Sequence, residues 1–137
     1  MRAMATEPPA QRDAPAPADL QRVILLAGPS GSGKSTIVRS SGLPMVCLDD
    51  FYKAGSDPTL PRAGELGIVD WDAPGSWDAQ GAINALSTLC RTGSCAVPLY
   101  DFATDGPLGT RIVEVGRGPF VAEGIFATEL AGELRSI

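Results

Sequence analysis

One nine-residue stretch has the composition and spacing of a phosphate cradle. Gly28-Pro29-Ser30-Gly31-Ser32-Gly33-Lys34-Ser35-Thr36 fits the pattern G-x-x-x-x-G-K-[ST] without a mismatch. Its glycines allow the tight backbone path that turns several N–H groups toward one anion. A helix opening at Lys34 would add the partial positive charge of its N-terminus. In such a loop the lysine, Lys34, reaches the β- and γ-phosphates, and the hydroxyl of Ser35 suits Mg²⁺. Two acids are candidates by position. Asp49 follows the apolar run Met45-Val46-Cys47-Leu48, and Glu123 follows Pro119-Phe120-Val121-Ala122. In open α/β sheets ligands gather beyond the carboxyl ends of the strands, where both acids would stand.

The elements that must position these groups are legible as runs and breaks. Val23-Ile24-Leu25-Leu26-Ala27 is apolar and β-prone, and predicts a buried parallel strand over about Arg22 to Ala27. The loop then leads into a short helix from Lys34 to about Ser40, ended by Gly42 with Pro44 beyond. Met45 to Leu48 predicts a second strand. Ala54 to Gly67 is rich in Gly, Pro and charge and predicts a long loop, of the kind that often forms lids or binding rims. Ser76 is a candidate N-cap for a helix from Trp77 to about Arg91, whose Ala79, Ala82, Ile83, Leu86, Leu89 and Cys90 recur at helical spacing. Cys95 to Phe102 and Arg111 to Val115 favour strand, with the turn residues Asp105-Gly106-Pro107 and Gly109 between them. Pro119 to Ala122 predicts another buried strand, and a helix starts near Ala127. The order implies an α/β fold, a three-layer sheet with parallel core strands. About three parallel strands are visible, few for a sheet buried on both faces.

Composition narrows the function. The 137 residues suffice for one small domain, 44% of them hydrophobic, with a net charge of −5. That acidity argues against a duplex nucleic-acid binder. It does not argue against a phosphate site, which works through local dipoles and one lysine. The three cysteines, Cys47, Cys90 and Cys95, lack metal spacing, and without any histidine a Cys/His zinc site is excluded. They read as reduced thiols of a cytoplasmic protein. No stretch approaches a membrane span, and none resembles a secretory signal. Residues 1–19 are Ala/Pro-rich without apolar periodicity and predict a disordered tail ahead of the domain over 20–137.

Five blocks in order carry a family resemblance: the loop Gly28 to Thr36, Leu48-Asp49-Asp50-Phe51-Tyr52-Lys53, Trp71-Asp72-Ala73-Pro74-Gly75-Ser76-Trp77-Asp78, Val97-Pro98-Leu99-Tyr100-Asp101-Phe102, and Val121-Ala122-Glu123-Gly124-Ile125-Phe126. Over roughly Val23 to Phe126 the chain resembles the uridine kinase family of P-loop kinases, in the wider group that includes phosphoribulokinase. The resemblance implies transfer of a phosphoryl group from ATP or GTP, with Mg²⁺, to the 5′-hydroxyl of a nucleoside. It makes Asp49 the catalytic base beside Lys34, with Asp50 as the neighbouring alternative. Ser35, Glu123 and Asp49 become the groups around Mg²⁺. Asp72 is matched to the ribose hydroxyls, and Tyr52, Tyr100 and Phe102 to the nucleobase. Trp71 and Trp77 read as packing residues. The implied partner is a small hydroxyl acceptor rather than nucleic acid or membrane, and a homo-oligomer is compatible with the resemblance.

Three departures keep other readings open. Where the family commonly has a histidine that reads the pyrimidine edge, this chain has Asp105. An ionised Asp can only accept hydrogen bonds. Asp105-Gly106 also reads simply as a hairpin-turn dipeptide. The linker Ala54 to Gly67 differs from the family pattern. The family also continues into a lid that carries arginines, so this sequence reads as truncated, with weak nucleotide binding and little turnover expected. The alternatives are a kinase for another acceptor (nicotinamide riboside, pantothenate or a sugar phosphate) or a non-catalytic nucleotide-binding fragment.

Overall fold

In the computed structural model the described residues are 22–134, apart from Ser30 and Ser32. The tail expected over 1–19 lies outside them. Three parallel strands form the sheet: β1 (Val23–Leu26), β2 (Met45–Cys47) and β7 (Phe120–Glu123), in the order β1-β7-β2. β7 enters last and lies in the middle, and all four of its residues are buried. Its register sets Glu123 opposite both Leu26 and Cys47. The carboxyl ends of all three strands therefore come level at one edge, where a ligand of an open α/β sheet belongs.

Two helices flank this edge in the chain. Helix α1 (Lys34–Ser41) follows the phosphate-loop stretch and ends at Gly42, whose φ of 71° is the left-handed stop. Helix α2 (Ala79–Thr92) carries the periodic apolar face and ends at Gly93 in the same conformation, φ 81°. Its Ala82, Ala85, Leu86, Leu89 and Cys90 pack into one core with Val46, Leu48, Phe51, Trp77, Val97, Phe120, Ala122 and Leu130. On the sheet, Ile24 and Met45 flank Val121 in register. Both stay partly exposed while Val121 is buried.

The antiparallel hairpin β5 (Ser94–Asp101) and β6 (Gly106–Glu114) stands apart from the parallel sheet. A register irregularity falls between Pro98 and Tyr100. In a regular strand, residues three apart face opposite ways. Here Val97 and Tyr100 are both buried, because a bulge re-aims the strand.

Several boundaries differ from the sequence reading. The N-cap of α2 is Asp78, whose Oδ1 accepts the Gly81 N–H at 3.0 Å. Ser76 is not the cap: it sits fully buried in a 3₁₀ turn, Pro74–Ser76, and its Oγ donates to the Ala73 carbonyl at 2.7 Å. Pro74 favours that turn, and the helix waits for the next capping side chain. The loop Ala54 to Gly67 is not wholly irregular, since β3 (Arg62–Ala63) pairs antiparallel with β4 (Ile68–Val69) just beyond it. Gly109 lies within β6, and the hairpin turn is confined to 102–105. The helix expected near Ala127 begins as a 3₁₀ turn, Ala127–Leu130, and continues as α3 (Ala131–Leu134).

Candidate phosphate site and neighbouring aromatic cavity

The first cavity, about 370 Å³, is lined by Gly31, Gly33, Lys34, Ser35, Thr36, Asp49 and Glu123. Gly31 and Gly33 have φ of 81° and 95°, a region that side chains rarely adopt. Gly33 is the N-cap of α1, and no side chain caps that helix. The first-turn N–H groups are thus left for whatever enters the cavity. Lys34 folds across its own loop, donating from Nζ to the Gly28 carbonyl at 2.7 Å and the Pro29 carbonyl at 3.0 Å. The same Nζ lies 3.8 Å from Glu123. Ser35 and Thr36 line the cavity, Gly28 and Pro29 are not among its lining residues, and Ser30 and Ser32 lie outside the described residues.

Asp49 is held in a 3₁₀ turn, Leu48–Phe51, directly after β2. Its Oδ1 is buried without a hydrogen-bond partner. Burial raises its carboxyl above the ordinary value, while the Ile125 backbone N–H and the Lys34 charge oppose that rise. Burial also raises Glu123, against the pull of Lys34 and with the push of Asp49. Two carboxylates with costly charges therefore share a cavity with one ammonium group. Among the described residues no group of three or more His, Cys, Asp or Glu side chains gathers to hold a metal. The oxygen donors present nevertheless suit Mg²⁺, which commonly takes one or two carboxylates and completes its shell with water and phosphate oxygens. The orphaned Asp49 oxygen fits that use; Asp49, Glu123 and the Ser35 hydroxyl are the groups that could hold the ion.

Asp50, the neighbouring alternative, faces elsewhere. Its Oδ1 accepts the Tyr100 backbone N–H at 3.2 Å, and its Oδ2 lies 3.7 Å from Arg111. It is a clamp between the turn after β2 and the hairpin. Gly124 went unremarked in the sequence except as part of a block. A Cβ there would come within 2.9 Å of Leu48 Cβ and 3.0 Å of Asp49 Oδ1. Only glycine lets the end of β7 approach Asp49 so closely. The Cys47 thiol, next to this turn, is pushed up to about 11 by burial and then by the Asp50 charge, so it is no reactive thiolate.

The second cavity, about 300 Å³, is lined by Tyr52, Trp71, Tyr100, Phe102 and Asp105. Tyr52 is its hub, with ring centroids 5.8 Å from Trp71 and 6.0 Å from both Tyr100 and Phe102. Backbone pairing fixes the hub: Lys53 N–H donates to Ser76, Asp78 N–H donates to Phe51, and Trp77 Nε1 donates to Leu48 at 2.7 Å. Trp77 is thus a buried packing residue, as read from the sequence. Trp71 is not simply packing, because it forms a wall of the cavity. Asp105 forms another wall, and it lies in the hairpin turn with φ 54°, as the turn reading expected. Asp72 is exposed beside Trp71 and is not among the lining residues, though its charge reaches the Tyr52 phenol. That phenol is pushed up to about 12 by burial, then by Asp49 and Asp72. Asp49 therefore lines one cavity and acts electrostatically on the hub of the other.

A parallel sheet, a glycine loop running into a helix, and acids at the strand ends make a P-loop α/β fold. Two solved structures share it. One is a candidate fructose transport system kinase from Silicibacter sp. TM1040, with TM-score 0.59 and 24% identity, covering 85% of this chain and 60% of that one. The other is a possible uridine kinase from Bacillus stearothermophilus, with TM-score 0.57 and 23% identity, covering 77% and 61%. In sequence the chain is similar to curated uridine kinases. That of Ureaplasma parvum serovar 3 (strain ATCC 27815 / 27 / NCTC 11736) is 29% identical, and that of Ureaplasma urealyticum serovar 10 is 28% identical, each over 113 residues. The match covers 77% of this chain, and the chain spans about half (53%) of these relatives' length. No family model matches the sequence. Among the described residues no helix is long and apolar enough to cross a membrane.

Proposed function

We propose that this chain carries the donor site and part of the acceptor site of an ATP-dependent phosphotransferase that acts on the 5′-hydroxyl of a nucleoside. The observation that carries this reading is the position of Asp49. It lines the phosphate-facing cavity, and its charge reaches Tyr52 in the aromatic one. A base in phosphoryl transfer must stand between donor and acceptor, within reach of the hydroxyl proton. The raised carboxyl suits that task, since a base works best when its affinity for protons is not too weak. Lys34 and the first-turn N–H groups of α1 hold the phosphates of ATP or GTP and balance their charge. Mg²⁺, when bound by Asp49, Glu123 and Ser35, neutralises charge on the phosphate oxygens. Tyr52, Trp71, Tyr100 and Phe102 would offer apolar surface to a base, and the exposed carboxylate of Asp72, next in the chain to Trp71, would accept hydrogen bonds from ribose hydroxyls.

Transfer from γ-labelled ATP with Mg²⁺ to a nucleoside panel tests this. The expected result is a low yield of labelled nucleoside 5′-monophosphate, in keeping with the little turnover expected of this sequence, and its loss in Asp49→Asn while ATP binding persists. Equal product from Asp49→Asn would overturn the assignment of the base. ATP binding without transfer to any nucleoside would favour a nucleotide-binding module instead. Asp105 in the aromatic wall favours a second reading, in which the acceptor differs from uridine.

A further inference from the structure

The two strands of the hairpin differ in what lies beside them. β5 packs against α2 and the turn after β2, whereas β6 pairs with β5 alone among the described residues. The ladder shows which main-chain groups of β6 are left over. Val115 N–H donates to the Gly93 carbonyl at 2.8 Å. Bonded and unbonded pairs alternate along an antiparallel ladder. In the register Cys95↔Val113 and Val97↔Arg111, the β6 residues of these pairs therefore turn their main-chain groups toward β5. Thr110, Ile112 and Glu114 turn theirs outward. Pro98, which has no N–H to give, stands opposite Thr110, as an unbonded pair permits.

The side chains of β6 alternate as well. Val113 is buried and Arg111 faces Asp50, so the inner face is occupied. On the outer face Ile112 is 63% exposed, in register with the exposed Ala96 and flanked by the exposed Thr110 and Glu114. Edge strands are normally blunted by lysine, proline or a bulge. Residues 110–114 hold no lysine and no proline. A bulge is present only at one end, where Leu108 and Gly109 lie opposite Leu99 alone and Gly109 has φ 134°. At the other end β6 stops at Glu114, and Val115 is buried. The open ladder thus runs from Thr110 to Glu114, with Ile112 at its midpoint.

We infer that this edge pairs with the same edge of a second copy of the chain, antiparallel about a two-fold axis at Ile112. That register sets Ile112 against Ile112. It sets Thr110 of each copy against Glu114 of the other, so that a hydroxyl donates to a carboxylate. The edge is self-complementary, as a two-fold interface requires. Centring the axis on Arg111 would oppose two like charges, and centring it on Thr110 would run the ladder into the bulge. Pairing joins two hairpins into one four-stranded sheet, and a lone two-stranded hairpin is marginal in water. The ladder is short beside the roughly 1,200 Å² that stable complexes bury, so the dimer is weak and reversible. None of residues 110–114 lines either cavity, and pairing does not depend on the proposed activity.

Sedimentation velocity of the 137-residue chain over a wide concentration series tests this. Monomer at low concentration is expected to give way to dimer at high concentration. Ile112→Lys is expected to weaken the dimer at least about tenfold, since it removes apolar surface from both copies and sets two like charges at the axis. Its circular dichroism and melting temperature should match the parent, because this side chain faces solvent in the single chain. Ile112→Cys gives a second measurement. Residues opposite each other in a bonded antiparallel pair have Cα atoms about 5.5 Å apart, within the range of a disulfide. Mild oxidation is expected to link this variant into a covalent dimer. The parent, with Cys47, Cys90 and Cys95, and Leu66→Cys at another exposed site should stay largely unlinked. A monomer at every concentration would overturn the inference and leave the edge to a different segment. A dimer that Ile112→Lys leaves intact, or one that oxidised Ile112→Cys fails to link, would overturn it as well.

Discussion

The two cavities sit on either side of one short turn, Leu48–Phe51, and are built in opposite ways. The phosphate-facing cavity draws on the glycine loop, α1 and the ends of β2 and β7. Its working groups are backbone N–H groups, one lysine and two carboxylates drawn out of water. The aromatic cavity draws on the chain after β2, the approach to α2, the bulged end of β5 and the hairpin turn. Its working groups are ring faces and one carboxylate. The first is a charged cradle whose parts are set by sheet register. The second is a wall of side chains brought together by the clamp at Asp50 and the backbone pairing at Trp77. A ligand that bridged them would meet Asp49 at the join.

This contrast implies that each cavity can be damaged without the other. The largest effect is expected from Lys34→Ala. Removing a charge-assisted donor should weaken ATP binding about 10- to 100-fold and leave nucleoside binding unchanged. Calorimetric titration of both ligands checks it, and parallel losses would mean that the cavities are not separable. Next comes Asp50→Ala. The buried Tyr100 N–H loses its acceptor, at a cost of about 1–3 kcal/mol in stability. The hairpin should loosen and nucleoside binding fall, while ATP binding in the remaining folded protein stays near the parent value. Urea unfolding with titrations below the transition would reveal the opposite order, an ATP loss larger than the nucleoside loss, if the clamp served the phosphate side.

The smallest effect concerns pH. Asp49 and Glu123 are raised above their ordinary values of 3.8 and 4.5 by burial. Between those values and the raised ones the folded chain holds more protons than the unfolded chain. Stability from these two groups is therefore full below the ordinary values and is lost as pH rises through the raised ones. In metal-free buffer, Asp49→Asn with Glu123→Gln should flatten the fall in stability as pH rises above those ordinary values. Melting curves across that range would contradict the picture if parent and variant ran parallel. Adding Mg²⁺ and nucleotide should favour the parent over the variant at neutral pH.

The phosphate side was largely legible beforehand because its chemistry lies in consecutive residues. Gly28 to Thr36 announces itself, and Asp49 and Glu123 mark the ends of apolar runs. What escaped was Gly124, whose importance is a steric distance across the sheet. The aromatic side was legible only through resemblance. Tyr52, Tyr100 and Phe102 were named, but Trp71 read as packing and Asp105 as a plausible turn. Asp72, matched to the site, stands exposed beside the lining rather than in it. The helix cap moved from Ser76 to Asp78 because Pro74 built a turn first. Either residue can cap, and sequence does not say which is buried.

The sequence by itself determined the loop, the strand-end acids and the apolar face of α2, since each depends on neighbours a few residues apart. The tertiary structure alone decided which of Asp49 and Asp50 faces the phosphate cavity. It also decided that Trp71 and Asp105 line one cavity with Tyr52, whose phenol feels the charge of Asp49. Adjacent residues on a 3₁₀ turn point in different directions, and rings some fifty residues apart meet only when a bulge, a hairpin turn and a buried clamp set their angles together.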